Sequence, residues 1–311
     1  MTGYALPPFP WFGGKRDAAP AIWERLGKPA QYIEPFCGGA AVMLACPDPA
    51  TLEVVGDLNG FIANFWRAVQ AQPDAVARAA DYPVSHIDLG ARHTWLMRQR
   101  ERLGAALQDC HWPGDAEIAG WWLWGQCAWI GSGWCDWSRP ERPARAPLPG
   151  VQAVGKIPNI SSCGQGMQSV VAIDTAREWL RALSARLARV RLIHGDWRRG
   201  MNTHYAVNLG QPVAIVFDPP YKSFEKVYGT QETSTAGDVE AWCREHAGEH
   251  RIALCGHVGD YDLPGWEVLQ WSKKRTTMGS NKTRHAEAIY FSPRCHRPTE
   301  THQRDLFGDM T

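Results

Sequence analysis

A short acidic motif at the end of an apolar run is the part of this sequence best suited to chemistry. Val213–Phe217 has the β-branched and apolar residues of a buried strand, and it leads into Asp218, Pro219, Pro220 and Tyr221. Proline fixes φ, removes an N–H donor and keeps its predecessor extended, so Asp218 should be held rigidly at the strand's carboxyl end. Asp and Pro are also ordinary turn residues, and the other motifs must decide between a turn and a reactive acid.

A glycine-containing turn lies earlier in the chain, within QYIEPFCGGAAVMLA. A strand is followed there by Gly38, Gly39 and the start of a helix, which lets a ligand approach the backbone and meet the helix amides. The full dinucleotide-binding spacing is missing, and a plain tight turn is the alternative. The next apolar run, LEVVGDLNG, ends in Asp57, at about the spacing where an acid meets ribose hydroxyls. Asp57 as a helix N-cap is the structural alternative, and both roles can hold.

Seven short apolar segments, separated by helical stretches, are predicted to be strands. They are Gln31–Glu34, Leu52–Gly56, Arg191–His194, Val213–Phe217, Arg251–Cys255, Glu267–Trp271 and Glu287–Ser292. One intervening helix is predicted to start with a capping box of Thr175 and Glu178, followed by an apolar stripe. Strands that alternate with helices predict an α/β fold with a doubly wound, Rossmann-like sheet.

The alternation stops between residues 73 and 173, where seven of the 16 tryptophans lie between Trp112 and Trp137. We interpret residues 73–173 as an inserted, mainly helical region. Residues 1–72 and 174–292 are then the α/β domain that it interrupts, and residues 293–311 are a flexible C-terminal tail. Most of the tryptophans are expected to form the core of the insert.

The composition argues against several classes of protein. A net charge of +1 means that any affinity for nucleic acid must come from local basic patches. Nine scattered cysteines without a Cys-x-x-Cys pair fit reduced thiols better than a disulfide framework or a zinc ribbon, and no metal site is expected. No segment resembles a signal peptide or a membrane span, which predicts a cytoplasmic protein that does not contact membranes.

Taken in chain order, the motifs resemble those of the Dam-type DNA adenine-N6 methyltransferase family. PWFGGK is similar to its first cofactor motif, EPFCGG to its glycine-rich motif, GDLN to its ribose-binding acid, HGDW to its Gly-Asp-aromatic strand end and DPPY to its catalytic motif. The resemblance implies a seven-stranded methyltransferase sheet whose insert recognises the target. It also implies S-adenosylmethionine bound by Trp11, Lys15, Pro35, Phe36, Cys37, Gly38, Gly39, Asp57, Asp196, Trp197 and Asp218. Ala40 stands where many members have a third glycine, and the insert sequence differs, which leaves the target sequence open.

The same resemblance implies that Asp218, Pro219, Pro220 and Tyr221 are catalytic. A carboxylate and the Pro219 carbonyl accept the two N–H bonds of adenine N6 and turn its lone pair towards the methyl donor. Tyr221 stacks on the base, which must be flipped out of the duplex. The expected enzyme is a site-specific adenine-N6 methyltransferase of the orphan or phage-like kind. The alternatives are an N4-cytosine methyltransferase and a catalytically inactive DNA-binding module on the same scaffold.

Two basic stretches are predicted to contact the phosphates of double-stranded DNA. The first, between the last two strands, contains Lys273, Lys274, Arg275, Lys282 and Arg284 with no acid, and a solvated loop is the alternative. The second contains Arg139, Arg142, Arg145 and Lys156 and is interrupted by Glu141. Trp134 is predicted to wedge into the gap left by the flipped base, although a place in the core of the insert is the alternative.

The tail sequence THQRDLFGDM resembles the short peptide that many bacterial replication and repair proteins insert into the sliding clamp. Gln303, Leu306 and Phe307 are the predicted anchors, and packing of Leu306 and Phe307 back onto the domain is the alternative. We expect a monomer or weak dimer that acts near the nucleoid of a bacterial or phage-infected cell.

Overall fold

The computed structural model describes residues 7–11, 13–129, 134–137, 173–201, 213–221, 235–271 and 286–297. The strands in this part are β1 (Gln31–Glu34), β2 (Leu52–Asp57), β3 (Val190–His194), β4 (Ala214–Phe217), β5 (Arg251–His257), β6 (Glu267–Trp271) and β7 (Glu287–Phe291). The helices are α1 (Ala19–Leu26), α2 (Ala41–Leu44), α3 (Gly60–Ala71), α4 (Pro73–Ala80), α5 (His86–Arg98), α6 (Arg100–Ala106), α7 (Ala116–Ala128), α8 (Ile173–Leu187), α9 (Arg198–Met201) and α10 (Thr235–His246).

All seven predicted strands are present, and β1 and β6 have the predicted bounds. They form one sheet in the order β3-β2-β1-β4-β5-β7-β6. Strand β4 pairs in parallel with both β1 and β5, whereas β7 lies antiparallel between β5 and β6. The strand order changes direction between β1 and β4, as in doubly wound sheets. The predicted Rossmann-like methyltransferase sheet is therefore confirmed.

Strands β1 and β4 are buried along their whole length, and this is why both read as continuous apolar runs rather than as alternating patterns. In β4 every residue from Val213 to Phe217 is almost completely shielded from solvent. The carboxyl end of such a strand is the first place where a polar side chain can meet a ligand.

Contacts between residues divide the chain into two compact units. Unit 1 comprises Met1–Gly14, Cys37–Leu44 and Val55–Arg199. Unit 2 comprises Lys15–Phe36, Ala45–Val54 and Gly200–Thr311. Strands β1 and β4 to β7 belong to unit 2, and helices α3 to α8 belong to unit 1.

Unit 1 has a helical core in which α7 packs on α3, α4 and α5, and α8 packs on α3 and α4. Residues 73–129 form α4 to α7, so the mainly helical character expected for the insert is confirmed over that part. Trp122 and Trp124 are buried, and the Phe9 ring meets Trp122 edge to face at 4.9 Å between centroids. Aromatic burial of this kind contributes both apolar area and a preferred ring geometry.

Helix α8 carries the predicted apolar stripe on its buried face, formed by Leu180, Leu183 and Leu187. Its start differs from the prediction, because the helix already begins at Ile173 and Thr175 therefore lies inside it rather than at the N-cap. Helix ends are the least certain feature of a periodic pattern, since the pattern fixes a face but not the first residue.

None of the helices in the described ranges combines the length and the apolar character needed to cross a membrane.

Candidate functional site

The glycine turn after β1 is held from three sides within unit 1. The Gly38 N–H donates to Asp57 Oδ2 at 2.9 Å, and the Gly38 carbonyl accepts the indole N–H of Trp66 at 2.9 Å. The backbone of Gly38 has φ of 44°, and a Cβ there would lie 2.5 Å from the Trp11 ring. Only glycine combines that left-handed backbone with that close approach of an aromatic ring.

Asp57 lies at the carboxyl end of β2 and joins the glycine turn to the next helix. Its Oδ1 accepts the Asn59 N–H at 2.8 Å, while its Oδ2 is the acceptor for Gly38. The N-cap of α3 is Asn59, whose side chain accepts the Phe61 N–H at 2.9 Å. The alternative of Asp57 as the N-cap is therefore wrong, because Asn59 already satisfies that end of the helix.

The ionisation of Asp57 is shifted by its surroundings. Burial raises the pKa of Asp57 to about 6, although the backbone N–H groups of Asn59, Gly38 and Leu58 oppose the shift. A carboxylate has about four acceptor sites, so three amides leave room for a further donor. A hydroxyl group of a ligand is a donor that such a carboxylate can accept.

Trp11 lies beside this turn. Its indole lies over Gly38, its ring meets Phe9 edge to face at 6.0 Å between centroids, and 36% of the residue is exposed. Cys37, in contrast, is buried, and its N–H donates to the Gly56 carbonyl at 2.8 Å. Of these two predicted cofactor residues, Trp11 is accessible to a ligand, whereas Cys37 stabilises the backbone of the turn.

The end of β3 is tied to the same turn. The Gly195 N–H donates to the Asp57 carbonyl at 3.1 Å, and Trp197 is buried. Asp196 is largely exposed, its Oδ1 accepts the Arg198 N–H at 2.9 Å, and its Oδ2 lies 3.2 Å from the Arg198 guanidinium. Asp196 therefore organises the start of α9 in this structure.

Unit 2 contains the Asp-Pro-Pro-Tyr motif at residues 218–221. Asp218 follows the last residue of β4, and its Oδ2 accepts a hydrogen bond from Lys15 Nζ at 2.8 Å. Lys15 is only 5% exposed, and it lies 203 positions from Asp218 in the sequence. An acid that meets a buried cation across the fold is not an ordinary turn residue, since a surface turn would leave it to solvent. The turn interpretation of Asp218 is thus disfavoured.

Tyr221 completes the group. It is buried, Lys15 Nζ lies 5.4 Å from its ring centroid, and its ring meets His257 edge to face at 4.7 Å. Burial, followed by the Asp218 charge, raises the pKa of Tyr221, so the phenol stays neutral. For Lys15, burial is the largest single influence and acts to lower the pKa, but Asp218 together with Cys255 and Tyr221 raises the net pKa. A lysine ammonium and a neutral tyrosine therefore flank Asp218.

Four further predicted residues follow β4 or the neighbouring strand β1. Pro219 is buried and Pro220 is exposed. Phe36, just after β1, lies 6.4 Å from Phe217 between ring centroids, and Pro35 before it is buried. Gly39, by contrast, belongs to unit 1, where a Cβ would only touch Pro7 and Phe9 at ordinary distances.

Trp134 is placed differently from the prediction. It is buried, its indole N–H donates to the Trp122 carbonyl at 3.0 Å, and its ring covers Gly125 so closely that a Cβ there would clash. A side chain that wedges into DNA must be exposed. The structure therefore supports the alternative, in which Trp134 lies in the core of the insert. The other predicted DNA contacts (Arg139, Arg142, Lys273, Lys274, Arg275, Lys282 and Arg284) and the clamp anchors (Gln303, Leu306 and Phe307) lie outside the described residues.

Sequence reasoning missed two residues of the site. Trp66 holds the Gly38 carbonyl, and His257 packs on Tyr221. Both lie inside ordinary elements, α3 and β5, where a tryptophan or a histidine carries no local signal. Only the pairing of elements distant in sequence brings them to the site.

A comparison with protein families agrees with this geometry. Residues 11–89 match the family model described as D12 class N6 adenine-specific DNA methyltransferase. The matched segment is about a quarter of the chain and contains Trp11, Lys15, the glycine turn and Asp57. No curated protein matches the sequence. Over residues 11–89 the chain is similar to the D12 class of N6 adenine-specific DNA methyltransferases, and the order of the sheet and the Asp-Pro-Pro-Tyr end of β4 are consistent with that similarity.

Proposed function

We propose that the protein transfers the methyl group of S-adenosylmethionine to N6 of an adenine that is flipped out of duplex DNA at a specific sequence. The observation that carries the proposal is the carboxylate of Asp218, which lies at the carboxyl end of β4 and is held by the buried Lys15. The strand order changes direction beside β4, and ligands of doubly wound sheets bind outside the carboxyl ends of strands at that point.

The chemistry that Asp218 can supply is hydrogen-bond acceptance. Adenine N6 is a poor nucleophile because its lone pair is delocalised into the ring. We propose that Asp218 and the Pro219 carbonyl accept hydrogen bonds from its two N–H groups. These hydrogen bonds favour a tetrahedral nitrogen and stabilise the positive charge that develops on it. Pro219 and Pro220 restrict the backbone, so the two acceptors are held in place before the base arrives.

Tyr221 is proposed to support the flipped base by stacking. Its ring is already fixed by the edge-to-face contact with His257 and by the Lys15 ammonium. An aromatic side chain whose position is fixed by packing loses little further freedom when a base stacks on it. The base must leave the duplex because N6 is not accessible to a protein pocket inside the stack.

The residues of unit 1 fit the adenosine part of the methyl donor. S-adenosylmethionine supplies an electrophilic methyl group on a sulfonium. We propose that the Asp57 carboxylate accepts the ribose hydroxyls and that Gly38, Gly39 and Trp11 contact the rest of the adenosine part. The fit rests on the acceptor capacity of Asp57, because a carboxylate offers about four acceptor sites and the amides of Gly38, Asn59 and Leu58 leave room for a hydroxyl. Pro35, Phe36, Cys37, Asp196 and Trp197 stay proposed cofactor residues on the family resemblance.

The proposal is tested by incubating the purified protein with unmethylated duplex DNA and S-adenosylmethionine that carries a labelled methyl group. Digestion of the DNA to nucleosides should yield labelled N6-methyladenosine. Labelled N4-methylcytidine would instead establish the cytosine alternative. Absence of any transfer, with DNA and cofactor still bound, would establish the inactive DNA-binding module.

Asp218→Ala is the variant that links this activity to the site. It removes one of the two acceptors for N6, and we expect the single-turnover rate to fall by far more than tenfold, where tenfold corresponds to about 1.4 kcal/mol in the barrier. Asp262→Ala provides a matched loss of one carboxylate in unit 2, outside the proposed site, and should leave the rate unchanged. A rate for Asp218→Ala within about tenfold of the wild type would contradict the catalytic assignment.

Two finer expectations follow from the sequence. Lys273, Lys274, Arg275, Lys282 and Arg284, together with Arg139 and Arg142, are proposed to bind DNA phosphates. Gln303, Leu306 and Phe307 are proposed to anchor the tail in a bacterial sliding clamp, which would place the enzyme at the nucleoid of a bacterial or phage-infected cell.

A further inference from the structure

Lys15 contacts the carboxylate of Asp218, and the resemblance to the family does not imply this contact. The resemblance made Lys15 a residue for the cofactor, whereas its ammonium lies 2.8 Å from Asp218 Oδ2. The side chain of Lys15 is 5% exposed and that of Asp218 is 22% exposed. The carboxylate of Asp218 is therefore partly accessible to a substrate, whereas the ammonium of Lys15 is buried.

We infer that Lys15 is a positioning residue for methyl transfer, which holds the Asp218 carboxylate in one orientation and leaves its Oδ1 for the target amine. The inference rests on the proposed function, because it assumes that Asp218 accepts a hydrogen bond from the N6 amine of the base. Lys15 would keep that acceptor in the right orientation.

The first argument concerns orientation. A carboxylate has two oxygens, and a buried ammonium on Oδ2 stops the group from rotating about its last bond. Oδ1 is then the oxygen left for the base, and the Pro219 carbonyl supplies the second acceptor. An amine with two N–H bonds needs two acceptors in fixed directions, and a rotating carboxylate would fix neither.

The second argument concerns charge. The surroundings of the pair are otherwise unfavourable to an anion. In the described part of the chain, the titratable side chains around the pair are Tyr221, Cys255, Tyr261, His257, Glu34 and Glu287. Burial raises the pKa values of Tyr221, Cys255 and Tyr261, so these groups stay neutral. Among the described residues, Lys15 is the cation in contact with Asp218, and an ion pair of this kind holds the carboxylate more firmly than a neutral partner would.

The test compares Lys15→Met, which keeps the length of the side chain without its charge, with Lys15→Arg, which keeps the charge. Single-turnover methylation at saturating cofactor and DNA is measured from about pH 6 to pH 9 for both variants and the wild type. We expect Lys15→Met to be at least about tenfold slower over this whole range, since the Asp218 carboxylate is then free to rotate. We expect Lys15→Arg to keep most of the wild-type rate and the wild-type pH profile.

Two further measurements separate positioning from cofactor binding and from misfolding. The dissociation constant for S-adenosylmethionine should stay within about twofold of the wild type in Lys15→Met. Addition of ethylammonium to Lys15→Ala should restore part of the rate, because the small cation can enter the space that the side chain leaves. A rescued variant is a folded one, so rescue supports the inference even if the thermal stability falls.

The inference is overturned if Lys15→Met has the wild-type rate and pH profile, or if its only defect is a cofactor affinity reduced tenfold or more. It is also overturned if Lys15→Met is inactive at every pH, ethylammonium has no effect on Lys15→Ala, and Lys15→Arg loses activity equally. Failure of the proposed function looks different, because Asp218→Ala would then retain activity whatever Lys15 does.

Discussion

At the scale of single residues, the two acids proposed to act in this protein lie against different partners. Asp57 accepts backbone amides, whereas Asp218 lies against a buried lysine. Burial outweighs the effect of the amides and raises the pKa of Asp57 to about 6, so this acid can gain a proton near neutral pH. Its titration should therefore be visible in binding.

Cofactor binding should weaken in mildly acidic solution because of Asp57. Its pKa is about 6 in the folded protein without ligand, and a protonated acid has lost part of its acceptor capacity for ribose hydroxyls. We expect the dissociation constant for S-adenosylmethionine to be constant above about pH 7 and to approach a tenfold increase per pH unit below about pH 6. Intrinsic tryptophan fluorescence or calorimetry measures it. Asp57→Asn should bind weakly with no such dependence, and an equal dependence in that variant would assign the titration to another group.

Protonation of Asp57 has opposite effects on the stability of the fold and on the binding of the cofactor. The folded protein holds the Asp57 proton more tightly than the unfolded chain, whose value is 3.8. This group therefore adds stability that is fully present below about pH 4 and is lost as the pH rises through about 6. Binding and stability measurements on the same sample should thus move in opposite directions between those two values.

At the scale of elements, the turn between β1 and α2 shows how a local rule and a tertiary contact combine. Gly38 and Ala40 both have positive φ, at 44° and 50°. Gly38 also lies under the Trp11 ring, so it is fixed by backbone and by contact. Ala40, where many related sequences have glycine, is fixed by the backbone alone.

Substitutions at these two positions should therefore have opposite effects. A left-handed backbone costs a residue with a Cβ about 1–2 kcal/mol, and glycine avoids most of this cost. Glycine also has the larger conformational entropy in the unfolded chain, which offsets part of the gain in stability. We expect Ala40→Gly to leave the unfolding free energy unchanged or to raise it by up to about 1 kcal/mol. Gly38→Ala should lower it by more than that and weaken cofactor binding, since its Cβ would collide with Trp11. Urea unfolding of both variants measures this, and equal destabilisation by the two would contradict the geometry.

At the scale of the whole molecule, DNA binding has to be local, because the net charge of the chain is only +1. Replacing Lys273, Lys274 and Arg275 by alanine should weaken binding to all DNA sequences equally. Each lost phosphate contact reduces the slope of log affinity against log salt by about one, so the full triple variant should lose up to about three. Titrations at several salt concentrations provide the slope, and Arg177→Ala is a control cation in the helical unit. An unchanged slope in the triple variant would remove this patch from the DNA surface.

The tail predicts an association that is independent of catalysis. Leu306 and Phe307 are adjacent apolar residues in a polar segment, and a short segment with concentrated anchors can bind while it loses little ordering entropy. We expect a peptide of residues 299–311 to bind a purified bacterial clamp, and the double change Leu306→Ala and Phe307→Ala to abolish this. Methylation of naked DNA by the double variant should continue at the wild-type rate. Absence of binding at high micromolar peptide, or loss of that basal rate, would contradict a clamp motif.

The sequence by itself determined the strands, the acids at their ends and the glycine turn. These features are local: a buried parallel strand needs a continuous apolar run, and a motif such as Asp-Pro-Pro-Tyr fixes its own backbone. It also indicated the apolar face of α8, since a face follows from period alone, but not the first residue of that helix.

The tertiary structure decided the partners. No local pattern places the ammonium of Lys15 on Asp218, the indole of Trp66 on the Gly38 carbonyl or the Trp134 ring against Gly125. Each of these contacts joins residues whose distance in sequence says nothing about their distance in space, because packing, not propensity, brings their elements together. The family resemblance implied a cofactor role for Lys15, which stays a prediction, and only the folded chain shows that Lys15 meets Asp218 and that Trp134 lies in the core of the helical unit.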